Sequence, residues 1–577
     1  MYKTADLFTQ KHTVVHLNLK KIQILFRLLA IGLGLLHVYA AITSQSMNAD
    51  GVSYLDIGDA YFRADWVNAI NPVWSPLYSG ILGFANFVIR PSIPWEFPLV
   101  HLVNFIIYVI ALSSFEFMWS RVRTQEAATE SYTISDVWWW TLGYLLFIWI
   151  SLSLIEVWAV TPDMLMATFV LLAAGLIAEI RLGRDSLRLF LGLGVVLGLG
   201  YLSKTFMFST ALVFLVLAWL VQRWTWASFK KILPAIGVFL LISLPYIAII
   251  SNAKGRPTLG EAGTVTYVRH VIGIPYPHWQ GDPAQNIVPA HRSRLIHRSP
   301  AVYEFGDPIG GTYPIAFDPS YWYEGLTAPI SLQRLTSPLL ASGSYYLELF
   351  LHRQGVLFAC VIALYVMDRK RKWAFAEILR TWALAIPAII AFGLYALVLV
   401  EDRYVGVFVL LLWADIIANI RLPAMPKGPA WLNTLSAVAA FGLLSNIILF
   451  NLDGFARLNP TMNARFVESP ALPAGPVAVA QSLHELGIQE GDRVGVIGYA
   501  YDSYWARLAR VKIVTEMLET DAEQLWRGDK TLEQSVLRAF ASAGVKAVVA
   551  EYVPQYANVS DWHQVGDSNF YIYTFTE

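Results

Sequence analysis

The fold is indicated most clearly by residues 187–222, LRLFLGLGVVLGLGYLSKTFMFSTALVFLVLAWLVQ, an almost unbroken apolar run. Crossing a bilayer takes about 20 mostly apolar residues, so this run is too long for one span. Lys204 lies near its centre. A lysine in the middle of the bilayer costs about 3 kcal/mol or more. The run therefore predicts a hairpin of two membrane helices with Lys204 at the turn.

The composition of the whole chain is that of a membrane protein. Of 577 residues, 56% are hydrophobic and only 15% are charged, whereas soluble proteins carry about 25% charged residues. The 42 basic residues equal the 42 acidic residues, so the net charge gives no indication of nucleic acid as a partner. The single cysteine, Cys360, lies in an apolar run and excludes an internal disulfide.

We predict a polytopic α-helical membrane protein with about eleven transmembrane helices. The predicted spans are 22–43, 97–120, 137–155, 162–180, 187–202, 206–222, 232–250, 347–367, 375–399, 404–420 and 431–450. The first span follows Lys20 and Lys21 and resembles a signal peptide, but it is interpreted as an uncleaved helix because the apolar run continues to Ile42.

The orientation follows from the basic loops. Segment 76–91 is apolar but short and is flanked by Pro76 and Pro91, so it is predicted to be an interfacial helix rather than a span. The basic loops then all lie on the cytoplasmic side: Lys20/Lys21, Arg121/Arg123, Arg181/Arg184/Arg188, Arg223/Lys230/Lys231, Arg369 to Lys372, and Arg421/Lys427. The N-terminus is predicted inside and the C-terminus outside.

Three parts of the chain are predicted. Residues 1–450 form a transmembrane domain, with a first external loop at 44–96 and a long external loop at 251–346. A linker at 451–469 leads to an extracytoplasmic α/β domain at 470–577, in which strands and helices alternate.

The predicted elements of the α/β domain are helix 476–487, strand 493–498, strand 511–515, helix 530–543, strand 545–550 and strand 570–574. The sequence Gly495-Val496-Ile497-Gly498 lacks the glycine spacing of a dinucleotide-binding turn, so no nucleotide site is predicted there.

Two carboxylates stand at predicted membrane exits on the outer side. Asp50 directly follows the first span, and Asp163 begins a later one after Pro162. Each has an ordinary explanation, since Asp50 could be a solvated loop residue and Asp163 a helix cap. If they instead face each other across a cavity, the pair would bind a divalent metal ion or raise one pKa.

Basic residues accompany these carboxylates on the outer face. Lys204 is either directed to lipid headgroups or placed to bind a phosphate as a point charge. Glu401-Asp402-Arg403-Tyr404 joins two spans and is either a surface charge cluster or a site where Arg403 binds a phosphate through its planar fork. His270, His278, His291 and His297 in the long loop show no metal-ligand spacing.

Five short motifs occur in one order on this face. They are Asp50-Gly51 with Tyr54-Leu55, Pro76-Leu77-Tyr78, Thr161-Pro162-Asp163, Gly200-Tyr201-Leu202-Ser203-Lys204, and Arg403-Tyr404. Together they resemble the GT-C superfamily of polyprenyl-phosphate-sugar-dependent glycosyltransferases, in particular the protein mannosyltransferase and aminoarabinose transferase type. The resemblance covers about the first 220 residues and one later turn.

The resemblance implies a reaction and roles for these residues. Asp50 would be the catalytic base and Asp163 a second acidic residue of the active site. Lys204, Arg403 and Tyr404 would hold the donor phosphate, and Tyr54, Tyr78 and Glu401 would contact the substrates. A sugar would pass, with inversion, from a polyprenyl phosphate to a hydroxyl of a glycan, lipid or protein acceptor. The active site would face outward from a plasma membrane, such as the bacterial inner membrane.

Other functions remain open at this stage. A transporter or lipid flippase would show inverted repeats and polar groups near the bilayer midplane, and neither is evident in the sequence. A non-catalytic membrane scaffold that displays the α/β domain would make Asp50 dispensable. Nearby Asp56 and Asp59 are expected only to cap or solvate a short helix.

The predicted orientation can be tested by cysteine labelling with a membrane-impermeant reagent. Single cysteines at positions 163, 204, 300 and 520 are expected to lie outside the membrane, and one at 370 inside, because only that arrangement collects the basic loops in the cytoplasm. We expect labelling of Thr520→Cys and Pro300→Cys in intact cells, and of Lys370→Cys only after lysis. Labelling of position 370 but not 204 from outside would contradict the topology.

Overall fold

The computed structural model describes residues 5–575, except 45–46, 124–130, 223, 275–277, 279, 282–287, 306–309, 327–331, 368–382, 424–426 and 459–474. Helices dominate the first 458 residues. They are α1 (Ala5–Ser44), α2 (Ala49–Phe62), α3 (Trp66–Ala69), α4 (Pro76–Ile89), α5 (Ile93–Val122), α6 (Asp136–Trp149), α7 (Asp163–Arg181), α8 (Leu187–Ser203), α9 (Met207–Leu220), α10 (Trp226–Lys254), α11 (Ala262–Tyr267), α12 (Pro314–Phe317), α13 (Pro319–Trp322), α14 (Leu332–Leu347), α15 (Gly355–Met367), α16 (Ala385–Ala396), α17 (Asp402–Ala418) and α18 (Gly428–Leu458).

Several of these helices suit a membrane. Within the described residues, six are long and apolar enough to span a bilayer, with a seventh if a bent pair counts as one span. They are 19–42, 93–122, 136–154, 163–181, 226–254 and 428–449. The chain is therefore an integral membrane protein. The number of eleven stays a prediction, because the predicted spans 187–202, 206–222 and 375–399 correspond to shorter apolar helices.

Two predicted boundaries are wrong. The predicted single span 347–367 is interrupted, because helices 332–352 and 355–367 meet at an angle of 75° around Arg353 and Gln354. This helix pair begins inside the segment predicted to be external loop. The last membrane helix, α18, continues to Leu458, which lies within the predicted linker. Most of that linker, and the predicted basic loop 369–372, fall outside the described residues.

The loops predicted to be cytoplasmic meet at one end of the helices. Arg121 at the end of α5 pairs with Glu179 at the end of α7, which also pairs with Arg184 at 2.7 Å. A two-stranded sheet forms at the same end, where β1 (Ser131–Tyr132) pairs antiparallel with β4 (Leu422–Pro423). The loops that follow α5, α7 and α17 are thus neighbours, as the distribution of basic residues predicts.

The second part of the structure is a seven-stranded sheet with four helices. Its strands are β2 (Arg294–Arg298), β3 (Ala301–Glu304), β5 (Arg493–Gly498), β6 (Lys512–Leu518), β7 (Ala547–Ala550), β8 (His563–Gln564) and β9 (Tyr571–Thr574), in the order β2-β3-β6-β5-β7-β9-β8. Its helices are α19 (Pro476–Glu485), α20 (Tyr504–Leu508), α21 (Glu519–Trp526) and α22 (Lys530–Ser542). β5 pairs parallel with β6 and β7, and the other pairings are antiparallel.

The sheet is not made by the C-terminal segment alone. Strands β2 and β3 come from the long loop between α11 and α14, and β3 pairs with β6 through Tyr303 opposite Glu516 and Glu304 opposite Thr515. The predicted strands and helices of 470–577 correspond to elements of the structure. That residues 470–577 form a separate domain stays a prediction, because two of the seven strands of the sheet, β2 and β3, come from the long loop.

A buried ion-pair network fixes the C-terminal segment to the first external loop. Arg507 belongs to α20. Its guanidinium lies 2.8 Å from Asp56 and 2.7 Å from Asp59 of α2, and 3.2 Å from Glu96 of α5. Arg510 adds contacts of 2.5 Å to Asp59 and 2.7 Å to Glu96. The expectation that Asp56 and Asp59 are solvated or cap a helix is therefore wrong: both face the C-terminal segment.

One carboxyl of this network, that of Asp59, has a lowered pKa. Burial alone would raise the pKa of Asp59, but the guanidinium groups of Arg507, Arg510 and Arg63 lower it below its ordinary value. A carboxyl whose pKa is lower in the folded chain stabilises it fully above the ordinary pKa and loses this contribution as the pH falls through the folded value. The docking should therefore hold at neutral pH and weaken only in acid.

Removal of Arg507 tests this docking. Arg507→Ala leaves three carboxylates without their shared cation, and loss of one partner of a buried ion pair typically costs about 3–5 kcal/mol. We expect the C-terminal segment of the full-length protein to be cleaved much faster in native-state proteolysis. Arg527→Ala is the matched control, because Arg527 is 68% exposed and its ion pair is with Glu523 of the preceding helical turn. Equal cleavage of both variants would contradict the role of the network.

Candidate functional site

A cavity of about 670 Å³ opens where the first external loop, the hairpin turn, the long loop and the C-terminal segment meet. This is within the usual size range of small-molecule sites, about 300–1,000 Å³. Seven of the eight residues predicted from sequence line it: Asp50, Tyr54, Asp163, Lys204, Glu401, Arg403 and Tyr404. They belong to four different helix ends, so the fold brings together groups that are up to 354 positions apart in sequence.

The first of these ends, the start of α2, is held against the turn before α7. The side-chain oxygen of Asn48 accepts from the Val160 amide at 2.9 Å, and its amide group donates to the Val160 carbonyl at 3.2 Å. Gly51 allows this approach, because a Cβ there would lie 2.9 Å from the Cβ of Val160 and 2.5 Å from Met47 Sδ. The Asp50-Gly51 pair thus puts a carboxylate next to the start of α7.

Asp163, the first residue of α7, pairs with Lys204 at the end of α8. The ammonium of Lys204 also lies 3.9 Å from the centre of the Tyr404 ring, a cation–π contact. Lys204 is only 19% exposed. The alternative in which its side chain is directed to lipid headgroups is therefore wrong, because its charge is used inside the cavity.

Arg403 lies between the carboxylates. Its guanidinium is 3.2 Å from Asp50, 3.9 Å from Asp163 and 2.8 Å from Glu401. Asp50 and Asp163 do lie close together, but a cation separates them. The arginine compensates the charges of both carboxylates.

The two aspartates differ in access. The side chain of Asp50 is 33% exposed, whereas that of Asp163 is 1% exposed. Asp163 is enclosed by Lys204 and Arg403, so it can orient these two cations. Asp50 alone of the two presents a free face to the open cavity, and it is the carboxylate that a substrate hydroxyl could reach.

The eighth predicted residue, Tyr78, does not line the cavity. It is fully buried, and its hydroxyl donates to Asn104 Oδ1 at 2.6 Å, while Asn104 donates to the Ala159 carbonyl at 3.1 Å. Its ring packs edge-on against Tyr54 at 5.2 Å. Tyr78 therefore supports Tyr54 and the turn before α7, and the prediction that it contacts a substrate is wrong.

A divalent metal ion held by Asp50 and Asp163, one of the two alternatives for a facing pair, finds no support in the geometry. Among the residues that the structure describes, no three His, Cys, Asp or Glu side chains are grouped as a metal site requires. Arg403 occupies the place between Asp50 and Asp163 where an ion would have to lie. Of the four loop histidines, His270 lines the cavity, and burial and the charge of Arg269 lower its pKa.

Three further lining residues were missed by the sequence analysis: Arg269, Tyr499 and Tyr501. Arg269 lies after α11, 5.9 Å from the ring of Tyr501. Across the described residues its guanidinium forms no ion pair, unlike those of Lys204 and Arg403. No local pattern marks Arg269. The two tyrosines follow strand β5 directly, and the carboxyl end of a parallel strand was an available signal.

One wall of the cavity is apolar. It is formed by Phe206 and Phe208 at the start of α9 and by Leu394, Val398 and Leu399 around the end of α16. The outer face of α16 is also apolar, with Ile389 60% and Leu397 40% exposed. The cavity therefore borders a helix whose other side suits lipid.

Comparison with known proteins gives similarities of structure only. No protein-family model and no curated protein sequence matches the chain. Among solved structures, it is similar to ArnT from Cupriavidus metallidurans in the apo state, with 13% identity, a TM-score of 0.48, and coverage of 94% of this chain and 97% of that one. ArnT bound to undecaprenyl phosphate gives 12% identity, a TM-score of 0.46 and the same coverage.

The oligosaccharyltransferase of Archaeoglobus fulgidus in the apo form is similar at 11% identity and a TM-score of 0.48, over 92% of this chain and 69% of that one. ArnT and this enzyme are GT-C glycosyltransferases, the superfamily that the sequence motifs resemble. At these identities and TM-scores, the similarity by itself assigns no reaction to the present chain.

Proposed function

We propose that this chain is a membrane glycosyltransferase that moves a sugar from a polyprenyl phosphate to an acceptor hydroxyl. The observation that carries the proposal is the cavity itself. It combines a reachable carboxylate, three cations and an apolar wall. These are the three things that a base, an anionic leaving group and a lipid chain require.

The donor phosphate is held by the cations of the cavity. Two of these cations, Lys204 and Arg403, already form ion pairs with carboxylates of the cavity, namely Asp50, Asp163 and Glu401. Arg269 lacks a carboxylate partner among the described residues, so it offers a full positive charge to an incoming phosphate. A guanidinium presents a planar fork that matches phosphate oxygens, and Lys204, Arg403 and Tyr404 complete the binding face.

Asp50 acts as the general base. It pairs with Arg403 at 3.2 Å, and its exposed face accepts the proton of the acceptor hydroxyl. The acceptor oxygen then attacks the anomeric carbon, and the bond from that carbon to the phosphate oxygen breaks. The phosphate leaves with the bonding pair while the cations stabilise its charge. One displacement inverts the anomeric centre.

Asp163 is a positioning residue in this scheme. It is enclosed, touches Lys204, and lies 3.9 Å from Arg403. The lipid chain of the donor follows the apolar wall between α9 and α16. Both substrates meet outside the cytoplasm, on the side predicted for Asp50 and the long loop.

The alternative of a transporter or flippase is less favoured by the position of the charges. Asp163 and Arg403 lie in the first turn of their helices, and Lys204 follows the last turn of α8. Transport sites are typically formed near the bilayer midplane by interrupted helices. The polar groups of this cavity instead belong to helix ends and external loops.

The contribution of Arg269 can be measured with undecaprenyl phosphate and the purified full-length chain. Hydrogen bonds to charged groups contribute about 1.5–3 kcal/mol, so Arg269→Met should weaken binding by about tenfold or more. The control is the double variant Asp163→Asn with Lys204→Met, which removes one charge of each sign. It is expected to lose less affinity than Arg269→Met. Lys204→Ala alone should weaken binding, because it leaves Asp163 uncompensated. Wild-type affinity in Arg269→Met would remove Arg269 from the phosphate site.

The base is tested by Asp50→Asn, which keeps the shape of the side chain and removes the proton acceptor. Loss of a general base typically slows turnover by about 10²–10⁴-fold. The loss should be in the transfer rate from lipid-linked sugars, with undecaprenyl phosphate affinity little changed.

The control for Asp50→Asn is Asp65→Asn. Asp65 caps α3 by accepting from the Asn68 amide, and asparagine caps equally well. Asp56 and Asp59 are unsuitable controls because of their ion pairs with Arg507. Near-wild-type transfer by Asp50→Asn would disprove the proposed mechanism.

A further inference from the structure

The turn after β5 lies at a special position of the sheet. β5 is placed between β6 and β7 and is parallel to both. The chain passes from β5 to β6 on one side and then returns through α21 and α22 to β7 on the other. In open α/β sheets, ligands bind outside the carboxyl ends of the strands where the connections diverge in this way. The turn 499–503 occupies that place.

Two buried glutamates from the neighbouring strands hold the turn. Glu516 of β6 accepts from the Ala500 amide at 3.0 Å. Glu551, just after β7, accepts from the Ser503 hydroxyl and the Trp505 indole, each at 3.0 Å. Buried carboxylates are costly unless such hydrogen bonds satisfy them. The turn is thus fixed by hydrogen bonds to Glu516 and Glu551, which apolar side chains could not accept.

Gly498 is a further constraint on this turn. Its φ of +149° and the 2.9 Å that would separate a Cβ from the Glu551 side chain require glycine at this position.

The turn directs two tyrosines to the cavity. Tyr499 and Tyr501 line it, with ring centres 5.3 Å apart at an angle of 32°. Tyr313 packs edge-on against Tyr501 at 5.2 Å, and its own hydroxyl donates to Glu516 at 2.7 Å. Glu516 therefore fixes both the backbone of the turn and the ring behind Tyr501. Both tyrosines are half-buried.

We propose that Tyr499 and Tyr501 form a binding platform for a sugar ring, so that the C-terminal segment determines which sugar the site accepts. This inference rests on the proposed function. A pyranose or furanose ring has an apolar C–H face and a rim of hydroxyls. Tyrosine offers a matching apolar ring with a polar tip. Arg269 lies 5.9 Å from the centre of the Tyr501 ring, and Arg269, Asp50 and both tyrosines line the same cavity, so a sugar on the platform shares the cavity with the reacting carboxylate.

The sugar could be the one carried by the donor or one belonging to the acceptor. Both have the same ring chemistry, and binding separates them. The purified full-length chain in nanodiscs is titrated with undecaprenyl phosphate, with polyprenyl-phosphate mannose, glucose and aminoarabinose, and with a panel of soluble oligosaccharides in the presence of undecaprenyl phosphate. Wild type, Tyr499→Ala, Tyr501→Ala and Tyr501→Phe are compared.

The alanine variants are expected to lose about tenfold or more in affinity for the sugar-bearing ligand, which is about 1.4 kcal/mol per tenfold. Their affinity for undecaprenyl phosphate should not change, and Tyr501→Phe should keep most of the affinity because the ring remains. A loss confined to lipid-linked sugars identifies the donor sugar. A loss confined to oligosaccharides identifies the acceptor sugar. Tyr556→Ala is the control, since Tyr556 is an exposed tyrosine of the same segment that contacts Arg527 outside the cavity.

Two results would overturn the platform. The first is wild-type affinity of both alanine variants for every sugar-bearing ligand. The second is an equal loss for undecaprenyl phosphate, which would indicate a general disturbance of the fold. Either result can occur with sugar transfer intact. Failure of the proposed function itself would instead appear as the absence of Asp50-dependent transfer, whatever the tyrosine variants bind.

Discussion

The compensation of three carboxylates by Arg403 is the interaction on which the cavity depends. Asp50 comes from α2, Asp163 from α7 and Glu401 from the turn before α17, and a single guanidinium contacts all three. Without it, like charges at the ends of separate helices would repel one another in a region of low dielectric. With it, those helix ends converge, and the three carboxylates can lie close together.

A second arginine has an equivalent role on the other side of α2. Arg507 gathers Asp56, Asp59 and Glu96, so this short helix is held between two arginine centres. One face carries Asp50 toward the cavity, and the other is fastened to the C-terminal segment. The position of Asp50 is therefore coupled to the docking of residues more than 450 positions away.

The sequence was sufficient where a functional residue lies at the end of an apolar run. Asp50, Asp163, Lys204 and Arg403 could be identified because a charge next to a membrane helix is costly and its position is restricted. Local patterns also predicted the strands and helices of the C-terminal segment, because each element there is marked by its own residues. Long-range pairing left no such mark. Nothing near Arg269 or Arg507 in sequence indicates which carboxylates they approach or lack.

The sheet that joins the long loop to the C-terminal segment imposes an order on biosynthesis. Strands β2 and β3 are translated some 200 residues before β6, and helices α14 to α18 are translated in between. During that interval the edge of β3 has no partner strand, and unpaired edges favour association with other chains. Contacts of such high sequence separation also form slowly. The cavity, which Tyr499 and Tyr501 line, can therefore be completed only after β5, β6 and the turn between them have been translated.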